Sequence, residues 1–233
     1  MDPSETHWRS HRFSILLASL LLFFLAAPVF QWLPSLMLTR LSTFLLFVAV
    51  LVSAVAVAGR HSRWRPALIA LVLIAALLQL GALTTDSNWM VVGFYLINLL
   101  FMGWIAWLTI SRLVRSRNAN YETISASICG YILLIILWAN TYSLLDTVMT
   151  GAFFYSQENS GVAPIMQFGL GDGMMSLYYS FVTMTTLGYG DVLPVAPPAR
   201  VLAALQAFVG QVYIAVLVAR LVGLQIAARS ENS

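Results

Sequence analysis

The sequence predicts an all-α integral membrane protein, and three observations carry that reading. Hydrophobic residues make up 60% of the 233 positions and charged residues only 9%, where a soluble domain carries about 25% charged. The apolar residues gather into six runs of about 20, the length that crosses a hydrocarbon core of about 30 Å at 1.5 Å per residue. The charged residues stand almost wholly between those runs. Nucleic-acid binding is not implied, because in such a chain the position of the charges matters more than the net +3.

In chain order the spans are expected at 13–33, 36–58, 66–83, 89–110, 124–145 and 198–227. The first admits a second reading as a signal peptide, since Arg9 and Arg12 precede an apolar stretch that contains Ala26 and Ala27. Its apolar character continues through Val29, Phe30, Trp32 and Leu33, past the usual core of about 7–15 residues, which favours a retained helix. All the basic charge is arginine, and cytoplasmic loops collect such charge. With the N-terminus inside, Arg9, Arg12, Arg60, Arg63, Arg65, Arg112, Arg115, Arg117 and Arg229 fall on the cytoplasmic side, and only Arg40 and Arg200 fall outside. Both termini are then cytoplasmic. Arg200 and Arg220 stand about 30 Å apart on one helix and bracket the hydrocarbon core. A polar connector, 111–123, divides a four-helix block (1–110) from a second block (124–228), and its plain reading is a cytoplasmic surface anchor. The one cysteine, Cys129, lies in an apolar run, so no intrachain disulfide forms. His7, His11 and His61 lie in polar flanks and offer no metal cluster.

Residues 185–191 read Thr-Thr-Leu-Gly-Tyr-Gly-Asp, between an apolar segment, 173–184, too short to span and the last long run. Gly188 and Gly190 free the backbone from the limits a Cβ imposes, so successive carbonyls can aim one way instead of alternating as in a strand. Such a row of oxygens can replace water around a cation. Asp172 suits the N-cap of the short helix, with a competing role in concentrating cations. The opposite end of that helix, near Met184 and Thr185, carries the partial negative charge that favours a cation.

With Ser176, Tyr178-Tyr179-Ser180, Pro194, Arg200 and Gly210 in register around this motif, roughly the final hundred residues resemble the tetrameric potassium channels. The nearest type is the prokaryotic six-helix one with a single pore loop, here without a charged voltage sensor. The resemblance implies that 173–184 is a re-entrant pore helix and 185–191 the selectivity filter. It also implies a homotetramer in lipid, since one strand makes no cage. Backbone oxygens of Thr186, Leu187, Gly188 and Tyr189, with the Thr186 hydroxyl, would bind permeant K+. Thr185, Gly190, Asp191 and Tyr178 would support them, Tyr178 by a hydrogen bond to Asp191. A role for Tyr178 and Tyr179 as interfacial aromatics stays open. Leu187, where Val is commoner, is expected to turn its side chain towards the pore helix. Val182 departs from relatives whose glutamate pairs with the filter aspartate. Gly210 matches a gate hinge, with close helix packing by a small residue as the alternative, and Gln211, Ile214, Val218 and Val222 would line the cavity.

The implied function is passive K+ conduction across a cell membrane, of bacterial inner-membrane type. The alternatives are a potassium-transporter subunit, although those chains resemble four fused degenerate filter repeats, and a less selective cation channel. A membrane enzyme would need ionisable groups inside the spans, which nearly lack them. Relatives with voltage sensors carry spaced arginines on the fourth helix, whereas 89–110 holds no Arg, Lys, Asp or Glu. Few residues follow Ala227, so no soluble ligand-binding domain is expected.

Overall fold

The computed structural model describes residues 12–30, 65–84, 88–115, 121–155 and 174–230. These form helices α1 (Arg12–Phe30), α2 (Arg65–Thr84), α3 (Asn88–Arg115) and α4 (Tyr121–Val148), strand β1 (Phe153–Tyr155), helix α5 (Met174–Met184), strand β2 (Val192–Pro194) and helix α6 (Pro197–Ser230). By length and composition α3, α4 and α6 can each cross a membrane, over Trp89–Val114, Tyr121–Val148 and Pro197–Ile226. Phe13–Ala26 of α1 and Pro66–Leu77 of α2 are shorter apolar stretches. Three of the six expected spans are thus seen at full length. The expected span at 36–58 and the Asp172 cap lie outside the described residues.

Two sequence expectations are corrected. The connector expected at 111–123 is helical at both ends, because α3 runs on to Arg115 and α4 starts at Tyr121. Apolarity ends where the hydrocarbon ends, but Arg, Ser and Glu continue a helix at little cost, and Glu122 in the first turn of α4 suits the positive end of its dipole. The all-α expectation misses an antiparallel ribbon that pairs Phe153 with Pro194, Phe154 with Leu193 and Tyr155 with Val192. Three residues are too few for a period-2 pattern to be read.

Helix α4 is the hub. In lipid every backbone group must be satisfied within the segment, and on α4 several polar side chains also bond to the helix's own carbonyls. Ser127, Asn140, Thr141 and Thr147 each donate to the carbonyl four residues back, at 2.7–2.9 Å. Its apolar residues Leu133, Ile135 and Ile136 meet Leu16, Leu20 and Phe23 of α1, Phe101 and Ile105 of α3, and Leu177 and Met184 of α5 in one core. The two blocks read from the sequence therefore share their interior. Glu122 joins them at one end by accepting from Phe13 N (3.2 Å) and Ser14 Oγ (3.0 Å) in the first turn of α1. The rings of Phe24 and Phe181, 5.8 Å apart, bring α1 up to α5. Cys129 is a buried free thiol that donates to Phe13 O at 3.4 Å.

The rings of Tyr142, Phe153 and Tyr179 meet edge-on at 5.0–5.4 Å and fasten the ribbon to α4 and α5. Tyr213 of α6 donates to Ser127 O at 2.7 Å, and its ring lies 5.6 Å from that of Tyr131. This crossing depends on Gly130, where a Cβ would stand 2.5 Å from the Tyr213 hydroxyl. Gly130→Ala is expected to lower stability in detergent by about 1–3 kcal/mol, by overpacking and loss of that hydrogen bond. Adding Tyr213→Phe, which deletes the colliding oxygen, should recover part of the loss in thermal unfolding; equal melting of Gly130→Ala and the parent would refute the close crossing.

Candidate ion-binding site

Residues 185–191 leave α5 through a defined C-cap. Leu187 N donates to Val182 O (2.9 Å) and Thr186 N to Thr183 O (3.1 Å), the paired bonds of a Schellman motif in which Thr186 is the left-handed residue. Its φ is 58°. That region disfavours a β-branched residue and is held only where the surroundings over-determine it. Here the two cap bonds do so, helped by the Thr186 hydroxyl, which donates to Thr185 O at 2.7 Å. The other carbonyls of the last turn are also paired: Phe181 O accepts from Thr185 N and Oγ1, and Met184 O from the Tyr131 hydroxyl at 3.0 Å.

Beyond the cap the handedness alternates. Gly188 and Gly190 have φ of 59° and 79°, while Leu187 and Tyr189, which precede them, stay out of that region. Alternating left- and right-handed residues turn successive peptide groups the same way, with amides on one side and carbonyls on the other. The amide side is used, since Gly188 N joins Leu187 N on Val182 O at 3.4 Å. The carbonyl side is free: among the described residues nothing donates to the carbonyls of Thr186, Leu187, Gly188 or Tyr189. Residues 186–190 are all exposed on the single chain. The Leu187 side chain, expected to turn towards α5, is 54% exposed.

The outer end is tied down through Asp191. Tyr178 Oη donates to Asp191 Oδ2 at 2.6 Å, the hydrogen bond expected from the resemblance, and Val192 N donates to Oδ1 at 3.0 Å. The rings of Tyr178 and Tyr189 stack with an interplanar angle of 7°. Tyr179 points the other way, into the aromatic triad with Tyr142 and Phe153. Val182 is buried and lines a cavity of about 280 Å³ between α5 and the loop, together with Thr183, Gly188 and Asp191. Arg200 Nε donates to Pro194 O at 3.1 Å, joining β2 to the start of α6.

At the inner end, Gln211 Nε2 approaches Thr186 Oγ1 at 3.4 Å. Ile214, Val218 and Val222 follow on α6 and are exposed like Gln211. Gly210 is buried, and a Cβ there would collide with the Met184 carbonyl. This is the close contact that its packing reading requires, and α6 runs unbroken through it. Sequence reasoning missed Tyr131 and Gln206, which both hold α5 in place. A glutamine inside an apolar run was the available signal.

Residues 130–224 match the family model described as "Ion channel". The match takes in most of α4, the ribbon, α5, the loop and α6 up to position 224. No curated protein and no solved structure matches the chain. Over that segment the chain is similar to ion channels, and three of its helices are long and apolar enough to cross a membrane.

The Tyr178–Asp191 bond is charge-assisted, a type that contributes about 1.5–3 kcal/mol. Tyr178→Phe is expected to speed amide hydrogen exchange at Gly190, Asp191 and Val192 by about tenfold or more. Unchanged exchange there would show that the bond does not hold the outer end.

Proposed function

We propose that the chain is a potassium-selective channel that conducts K+ passively as a homotetramer in a cell membrane. One observation carries this reading: four consecutive carbonyls, from Thr186 to Tyr189, lie in backbone whose φ alternates in sign and have no donor among the described residues. A carbonyl left unpaired at membrane depth costs several kcal/mol, and a cation shared among such oxygens offsets that cost. Carbonyls are strong dipoles without net charge, so an ion enters favourably and can still leave. The Thr186 hydroxyl adds an oxygen at the inner end of the row. The C-terminal end of α5 adds its partial negative charge there.

One chain supplies one strand, so the cage needs copies around an axis, and fourfold symmetry is the arrangement the filter-like sequence supports. The exposure of Leu187 and of α6 fits this. Only 17% of the spanning part of α6 is buried, against 56% for α4. Neighbouring copies and lipid would cover the remainder. In such an assembly Gly210, seated on the end of α5, is the point where α6 would bend to gate the pore.

In liposomes loaded with K+, the wild type is expected to carry K+ current with a reversal potential that favours K+ over Na+. Gly188→Ala and Gly190→Ala place a Cβ on left-handed backbone, at about 1–2 kcal/mol each, and should abolish that current or its preference. Equal permeation of K+ and Na+ by the wild type would leave a less selective cation channel.

Residues 89–110 of α3 hold no charge that could move through the field. One elementary charge crossing the full field gains about 2.3 kcal/mol per 100 mV, roughly a fiftyfold change in the open-to-closed ratio. The open probability is therefore expected to change by less than that across 100 mV. Steep activation in single-channel records would require a charge carrier elsewhere.

A further inference from the structure

Gln206 stands within the spanning part of α6 with no exposed surface. A primary amide in such a place is costly unless its hydrogen-bonding positions are matched. Here they are matched. Nε2 donates to Ser180 O (2.9 Å) and to Ser180 Oγ (2.7 Å), while Oε1 accepts from Tyr142 Oη (2.5 Å). The amide orientation follows from its neighbours, since the flipped form would set its oxygen against the Ser180 carbonyl. Ser180 Oγ in turn donates to Ile135 O at 2.6 Å. One side chain of α6 thus binds α5 directly and α4 through Tyr142 and Ser180.

The place of this contact gives it its meaning. Ser180 lies one helical turn before Met184, where α5 hands over to the Schellman cap and the carbonyl row. Side chains of α4 also bond onto α5: Ser143 Oγ donates to Ser176 Oγ at 2.9 Å, and Tyr131 Oη to Met184 O at 3.0 Å. Gln206 is the side chain of α6 that joins this set. Tyr142 also belongs to the aromatic triad that fastens the ribbon, so the same amide reaches both flanks of the loop.

We propose that Gln206 is a positioning residue for ion selection, holding α5 in register with α6 so that the carbonyl row keeps its geometry although the amide touches no ion. The proposal rests on the reading of the chain as a potassium channel. It makes the selectivity of each open channel depend on a buried amide in the wall of the pore. An amide that only stabilises the fold would change how many channels assemble and leave the preference of each one unaltered.

The test is the K+/Na+ reversal potential of the full chain in planar bilayers, a quantity independent of channel number, with oligomeric state followed by light scattering. Gln206→Met keeps the shape and removes the donors, and the permeability ratio is expected to fall about tenfold with the oligomer intact. Ser180→Ala keeps the bond from Nε2 to the carbonyl and removes the hydroxyl, so a fall of about threefold is expected; it also decides the matter if Gln206→Met does not assemble. A wild-type ratio with a wild-type-like oligomer in either variant would overturn the positioning role alone. A wild type without K+ preference would overturn the channel reading and this inference with it.

Discussion

The carbonyl of Val182 accepts from two amides, Leu187 N and Gly188 N, and the rest of the site depends on that shared acceptor. It ends α5, forces Thr186 into left-handed backbone and starts the alternation that Gly188 and Gly190 continue. A helix that frayed here would leave the loop free to take an ordinary extended form, with carbonyls pointing to both sides. Strain of about 1–3 kcal/mol at a β-branched left-handed residue is tolerated only because the cap leaves no other choice. The hydroxyl that makes threonine a poor fit on steric grounds also finds an acceptor within reach.

Around that cap, α5 is held by polar contacts in a setting where each one matters, since water does not compete for donors and acceptors there. Ser176, Ser180 and the Met184 carbonyl are each tied to α4, and Ser180 to α6 as well. The ribbon completes the frame. Tyr155 pairs with Val192, one residue beyond Asp191, so the chain leaving the loop is stitched to the chain leaving α4 before it turns into α6. The loop is therefore fixed at both ends by elements that belong to a single core.

Much of this was legible before any coordinates, and the parts that were not have physical reasons. Apolar runs announce spanning helices because the bilayer imposes length and composition together, and α3, α4 and α6 follow the runs closely. Their ends do not, since Arg112, Arg115 and Glu122 extend helices beyond the hydrocarbon. Gly188 and Gly190 marked unusual backbone by residue type, whereas Thr186 hid its left-handed conformation behind a residue that normally avoids it. The bond from Tyr178 to Asp191 was readable only by resemblance, as nothing in a tyrosine pair names a partner thirteen residues away. Gln206 read as one more polar residue in a long helix, because its partners come from α4 and α5, far off in the chain.

Helix α6 runs from Pro197 to Ser230, which at 1.5 Å per residue is about 50 Å, well beyond a hydrocarbon core of about 30 Å. Gly210, pressed against the end of α5, divides it unequally, leaving about 30 Å on the side away from the ribbon. That portion is long enough to act as a lever arm about a point where the helix has no room for a Cβ. A tilt of about 10° at the fulcrum carries the far end roughly 5 Å sideways while the backbone at Met184 barely moves. A small tilt at that point is therefore magnified along α6 while the carbonyl row stays in place.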